Sequence, residues 1–511
     1  AGYAVTTGVQ NVLVGGLAGD TLTTGQENVA IGYSALDADT AGKGSIAIGV
    51  NSLGVQNFST ATYSNNVAIG HNSGASVTTG VQNTILGAYA GDALTDSGPV
   101  VAVGYAALST EDRDGGGSTA IGYQALTTQN AGATAYNTAV GWNAGAAITT
   151  GIRNTLIGGL AGDALTDADY NVAIGTDALG ADTLGSRSVA IGYEALLRQN
   201  FTTATDAYNV AIGFDAGLNV TTGVENTFIG GLAGDALNTG NVNVALGARA
   251  LGADTKGNHS TALGYAALDA QNFTTSTDTY NVAVGSNAGG AVTIGINNVL
   301  IGGLAGDALT DADYNTSVGG ANLSSDTLGS KSTAIGYGVL VTQNFTTATD
   351  THNTAVGYNA GTAVTTGTNN TLIGSLVGGS NTDGIANVAV GGGTYGALRS
   401  DTRGKFSTAI GFGALTAQNF TSVTDSGNTA VGYFAGGVNA TGRFNTYVGS
   451  LCGDDSNDGA NNVAVGYSAL GANHGDENTA VGRLAGTLIT GSENACFGDG
   501  AGSTITSGSQ N

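Results

Sequence analysis

Along most of the chain, short apolar runs alternate with polar, glycine-rich spacers. The runs share one five-residue pattern: Asn, then Val or Thr, Ala, an aliphatic and Gly, as in Asn28-Val29-Ala30-Ile31-Gly32. The pattern recurs 28 times between Asn11 and Asn494. Alternate strand residues point to opposite faces, so each copy predicts one very short β-strand closed by glycine. The second and fourth positions, nearly all Val, Thr, Ile or Leu, are expected to face the interior. The third, usually Ala, is expected to point away and to permit close approach of another sheet. In the first of every four copies this third position is larger: Leu13, Ile85, Leu156, Phe228, Leu300, Leu372 and Tyr447. The stretch after the glycine, as in Gly32-Tyr33-Ser34-Ala35-Leu36, predicts a bend into a second short strand.

Glycine-to-glycine spacing runs 17, 17, 21 and 17 residues, so four copies form a super-repeat of about 72 residues. Seven of these cover the chain, at approximately 1–72, 73–143, 144–215, 216–287, 288–359, 360–434 and 435–511. A 17-residue unit cannot bury its own apolar face and must stack on neighbours, which is the logic of a solenoid. The predicted fold is all-β: an elongated parallel β-solenoid, or β-roll, of about 28 coils in a single continuous array over 1–511. Seven units of four strands would also suit a seven-bladed β-propeller, but propeller strands differ in role from hub to rim, whereas these share one motif. Residues 501–511 align with 1–11. That is expected of part of a longer array, or of ends that complete one another head to tail.

The first motif position is Asn in 21 copies and Ser in six, at Ser45, Ser118, Ser188, Ser260, Ser332 and Ser407, with Val100 as the exception. So many identical amides predict a structural ladder that satisfies backbone groups from coil to coil. Its members include Asn11, Asn28, Asn66, Asn83, Asn137, Asn154, Asn171, Asn209, Asn226 and Asn243.

Composition narrows the partners. With 37 acidic against 13 basic residues the net charge is -24, which disfavours nucleic acid and anionic membrane surfaces. No apolar run approaches the ~20 residues of a transmembrane helix, so membrane insertion of this segment is not expected. Cys452 and Cys496 lie three coils apart in slots that other copies fill with core residues. At ~4.8 Å per coil they are too distant for a disulfide and are expected to be buried free thiols.

Candidate chemistry is sparse. Asn57, Asn200, Asn272, Asn344 and Asn419 each precede Phe and then Ser or Thr, the acceptor pattern for N-glycosylation; the alternative is that the Phe packs on the solenoid edge. Asp163, Asp167 and Asp169, with their counterparts Asp307, Asp311 and Asp313, are candidate Ca²⁺ ligands because hard cations collect carboxylate oxygens. A solvated turn is the competing reading, and no cofactor is otherwise expected. Gly391-Gly392-Gly393-Thr394-Tyr395-Gly396 matches a dinucleotide fingerprint in letters only, since no helical pattern follows it. His71, His259, His352 and His474 fall in unrelated coils, and no nucleophile elbow or P-loop occurs. No enzyme is predicted. A polysaccharide-cleaving spike would need a paired-carboxylate cleft. An ice-binding face would need regular Thr pairs, whereas Thr78-Thr79, Thr149-Thr150 and Thr221-Thr222 recur once per four coils.

The run Asn28 to Ala35 resembles the head repeats of YadA-like trimeric autotransporter adhesins, and Asn353-Thr354-Ala355-Val356-Gly357-Tyr358 is similar to repeats of bacteriophage tail fibres. The resemblance implies a left-handed parallel β-roll at the cell surface, in the extracellular space or on a virion. It implies a structural shaft or adhesin that self-associates (laterally, as a trimer or head to tail) and meets a cell-surface glycan or protein receptor.

Overall fold

The computed structural model describes residues 1–112 and 116–511, and the described residues form strands and turns without a helix. They divide into two compact units, Ala1–Asn258 with Thr274–Ser276, and His259–Phe273 with Thr277–Asn511. In the first, three-residue strands run from Val12–Val14 to Val244–Leu246. Each pairs in parallel with the next at unshifted register, as in Val172↔Val189, Ala173↔Ala190 and Ile174↔Ile191. In the second, the strands from Thr261–Leu263 to Ala495–Phe497 do the same, for example Thr333↔Thr354, Ala334↔Ala355 and Ile335↔Val356. The chain is therefore a parallel β-solenoid of about 28 turns. Neighbouring strands of a propeller blade run antiparallel, so this pairing rules out the propeller.

The glycine that closes each strand sets the coil spacing. Gly192 has φ of +138°, and a Cβ there would sit 2.2 Å from the carbonyl oxygen of Gly213 in the next coil. Only glycine tolerates both the backbone angle and the contact.

The two strand faces are the reverse of the sequence expectation. The third position is the interior: Ala30, Ala173 and Ala334 are fully buried, as are Leu156, Phe228 and Tyr447 where the residue is larger. The second and fourth positions look outward, and Ile31 and Ile157 remain 37% and 39% exposed. The reason is volume. The narrow interior must also hold the Leu contributed by the turn after the glycine, such as buried Leu36, Leu196 and Leu340. Little more than a methyl fits beside it. Where two successive turns carry Gly in place of Leu, as at Gly145 and Gly162, the third position of the second coil grows while that of the first stays Ala139. A Cβ on Gly145 or Gly162 would lie 2.7 or 2.8 Å from the Leu156 methyls, so Leu156 fills the space that two glycines leave. Phe228 stands in the same way between Gly217 and Gly234. Interior space is thus filled between neighbouring coils, as close packing demands.

The segment after the glycine is a turn, not the expected strand. Ser34 and Leu36 adopt φ of 54° and 52°, and these left-handed angles swing Leu36 inward. Among the described residues, second strands occur only beside the long coils, as two-residue pairs such as Gly42–Lys43 with Thr62–Tyr63 and Gly185–Ser186 with Thr205–Asp206.

Candidate functional site

Just before each strand, the Asn side chains form a buried line of amides. Asn154 is fully buried. Its backbone N–H donates to Oδ1 of Asn137 at 2.8 Å, its own Oδ1 accepts from the N–H of Asn171 at 2.9 Å, and its Nδ2 donates to the Ala168 carbonyl at 2.7 Å. The ladder runs in short stretches. Asn11 serves Asn28, which serves Ser45; Asn66 serves Asn83, which serves Val100; Asn137 leads through Asn154 and Asn171 to Ser188; Asn209 leads through Asn226 to Asn243. Ser45, Val100 and Ser188 end their runs because neither the shorter serine nor the apolar valine side chain makes this bridge to the following coil.

At those breaks the sequence reading missed a second buried network. Gln199 Nε2 donates to Asp182 Oδ2 at 2.6 Å and to Ser188 Oγ at 3.0 Å, while its Oε1 accepts from Asn209 Nδ2 at 2.8 Å. The other oxygen of Asp182 accepts the backbone N–H groups of Gly185 and Phe201. The same arrangement joins Asp39, Gln56, Ser45 and Asn66, and again Asp326, Gln343, Ser332 and Asn353. Glu111, Gln129, Ser118 and Asn137 form the variant in the second super-repeat. Asp401 belongs to this set. Burial pushes its carboxyl above the usual carboxylate range, and hydrogen bonds from Gln418 and the backbone oppose that shift. The signal was in the sequence as an Asp or Glu and a Gln about one coil apart in every long loop. These carboxylates are enclosed and hydrogen-bonded both to their own turn and to the longer coil laid on it, so they staple that coil in place.

The glycosylation candidates Asn57, Asn200, Asn272, Asn344 and Asn419 are exposed. The following Phe58, Phe201, Phe273, Phe345 and Phe420 are buried to 7% exposure or less. The aromatic ring therefore anchors a loop whose Asn faces solvent. The acidic candidates do not converge. Asp167 Oδ1 accepts from the Thr150 hydroxyl, Asp169 Oδ1 from the Ile152 N–H and Asp313 Oδ1 from the Ile296 N–H. Desolvation raises the Asp163, Asp307 and Asp313 carboxyls. Asp307 borders a shallow hollow of about 250 Å³ with Asp269 and Asn287. Among the described residues no three His, Cys, Asp or Glu side chains gather as a metal site requires.

The last super-repeat departs from the others inside. Both cysteines are free and buried. Cys452 Sγ donates to the Ala464 carbonyl, and burial pushes its thiol up to about 12. Nearby, Tyr447 packs edge-on against His474, with ring centroids 6.0 Å apart. Burial lowers the His474 imidazole to about 4 and raises the Asp454 carboxyl to about 6, the latter helped by Asp455.

Compared with known proteins, the chain matches no protein-family model and no curated protein sequence.

Proposed function

We propose that the chain is a non-catalytic structural shaft of an extracellular fibre or adhesin, displaying its loops for surface attachment. The observation that carries this reading is the division of labour within a coil. Strand, glycine and buried Asn repeat almost unchanged, while the exposed Asn-Phe-Thr loops and acidic turns hold the variation. A scaffold built of identical coils supplies stiffness, and recognition belongs on the loops. The resemblance to adhesin heads and phage tail-fibre repeats supports the same placement outside the cell or on a virion, with a glycan or protein receptor as the loops' partner. The buried carboxylates are consistent with this role, since each is held in hydrogen bonds that fasten a loop.

Negative-stain microscopy and limited proteolysis test the reading together. Stiff rods that resist protease except at the long loops are the expected result. Globular particles, or rapid cleavage throughout the coils, would remove its basis.

A further inference from the structure

The buried network of the long coils holds more chemistry than a hydrogen-bonded staple needs. Ser188 and Gln199 are both fully buried. Gln199 Nε2 lies 3.0 Å from Ser188 Oγ and 2.6 Å from Asp182 Oδ2, and its Oε1 accepts from Asn209 Nδ2 at 2.8 Å. One side-chain amide therefore has a hydroxyl beside it, a donor on its carbonyl oxygen and a carboxyl oxygen on its nitrogen. The contact between Gln Nε2 and Ser Oγ recurs in five other long coils, at 2.8–3.1 Å from Ser45, Ser118, Ser260, Ser332 and Ser407. In each of them the Gln oxygen again accepts from a buried Asn. Serine at the first motif position interrupts the amide ladder, yet each of the six stands where a Gln reaches it.

We infer that these Ser–Gln pairs are sites of self-catalysed cross-linking: Ser Oγ attacks Gln Cδ, ammonia leaves, and a side-chain ester ties the start of the strand to the turn that follows it. Gln199 Cδ is one ~1.3 Å bond from Nε2, so Ser188 Oγ starts within roughly 4.3 Å of it. Turning the carboxamide about its Cγ–Cδ bond brings the pair toward the ~3–3.5 Å of a near-attack geometry. As the C–O bond forms, negative charge gathers on Oε1, where Asn209 donates. The Oγ proton passes to Nε2, whose developing positive charge faces the Asp182 carboxyl. The C–N bond then breaks. One hydroxyl and one amide become one ester and one ammonia, and no co-reactant enters. A donor and an acceptor fixed at the two poles of the intermediate form a preorganised field for it. Burial keeps out the water that would hydrolyse the ester, and ammonia released to bulk water is protonated there, which draws the reaction forward. The inference goes beyond the shaft reading and does not depend on it.

Mass spectrometry of the full chain, denatured after prolonged incubation of the folded protein, tests it. The intact mass is expected to fall short of the sequence by one ammonia for each of the six pairs. In the third super-repeat trypsin cuts after Arg187 and Arg198, which separates Ser188 from Gln199 in an unlinked chain. The ester should hold peptides 188–198 and 199–249 together, and alkaline hydroxylamine should release them. Ser188→Ala should remove that linked pair and one ammonia of the deficit, with an unchanged far-UV spectrum. If Ser188→Ala does not fold, fragment ions of the wild-type pair decide, by placing the link on Ser188 and Gln199 or elsewhere. An intact mass equal to that of the sequence overturns the inference. So does a deficit with 188–198 and 199–249 recovered only as separate peptides, since the ammonia was then lost at other side chains. Unlinked rods in negative stain would leave the shaft standing without the esters, and linked but globular particles would keep the esters and remove the shaft.

Discussion

Replacing Asn154 by Ala would separate the contribution of the amide ladder from that of the aliphatic columns. The substitution removes the acceptor for the Asn171 N–H and the donor to the Ala168 carbonyl, both in buried surroundings. Each orphaned group costs about 1–3 kcal/mol, so the local loss is about 2–6 kcal/mol. Ile157, three residues on, is 39% exposed. Its replacement by Ala should cost about 1 kcal/mol, because the side chain already sits partly in water. A long array does not unfold in one step, so the readout must be local. Hydrogen exchange by mass spectrometry over peptides spanning 150–175 provides it. Asn154→Ala should accelerate exchange there by a factor of about 30 to 10⁴, and Ile157→Ala by about tenfold or less. Comparable effects from the two variants, or less than tenfold for Asn154→Ala, would refute the assignment of the ladder as buried and the columns as outward.

Gly192→Ala would place a Cβ 2.2 Å from the Gly213 oxygen at φ +138°; cleavage by trypsin at Arg187 and Arg198 should rise sharply, while Gly159→Ala, with nothing within 4 Å of its Cβ, should leave the digestion pattern unchanged. In the last super-repeat two pH effects oppose one another. Asp454 is raised in the folded state to about 6, so the fold binds its proton more readily than the unfolded chain, and local stability should increase as pH falls from 7 toward 4; Asp454→Asn should abolish that gain in exchange measurements. His474 is lowered to about 4, so its contribution is intact above pH 6.5 and lost as pH falls toward 4; His474→Gln should remove that loss. Cys452, with its thiol pushed up to about 12, should resist iodoacetamide at pH 8 in the native chain and react fully once denaturant is added, as followed by mass spectrometry.

The parallel solenoid, its 28 coils and their grouping by four were legible in the sequence, because period and glycine spacing are one-dimensional quantities that survive without coordinates. The closing glycine and the Asn column were legible for the same reason. Which strand face lies inside was not. A period of two distinguishes two faces but does not rank them, and hydrophobicity alone favoured Val29 and Ile31 over Ala30. The tertiary structure decided otherwise, because the left-handed turn at Ser34 and Leu36 brings a leucine into a space too narrow for a second large side chain. The exchange between Leu156 and the glycines at 145 and 162 was written in the sequence, yet it becomes meaningful only once those three residues are known to share one volume. The buried Asp–Gln staples likewise needed the fold, since residues such as Asp182 and Gln199 meet only when one coil is laid on the next. Local pattern determined the repeating element, and interior volume, which no single coil contains, determined what that element buries and what it leaves exposed.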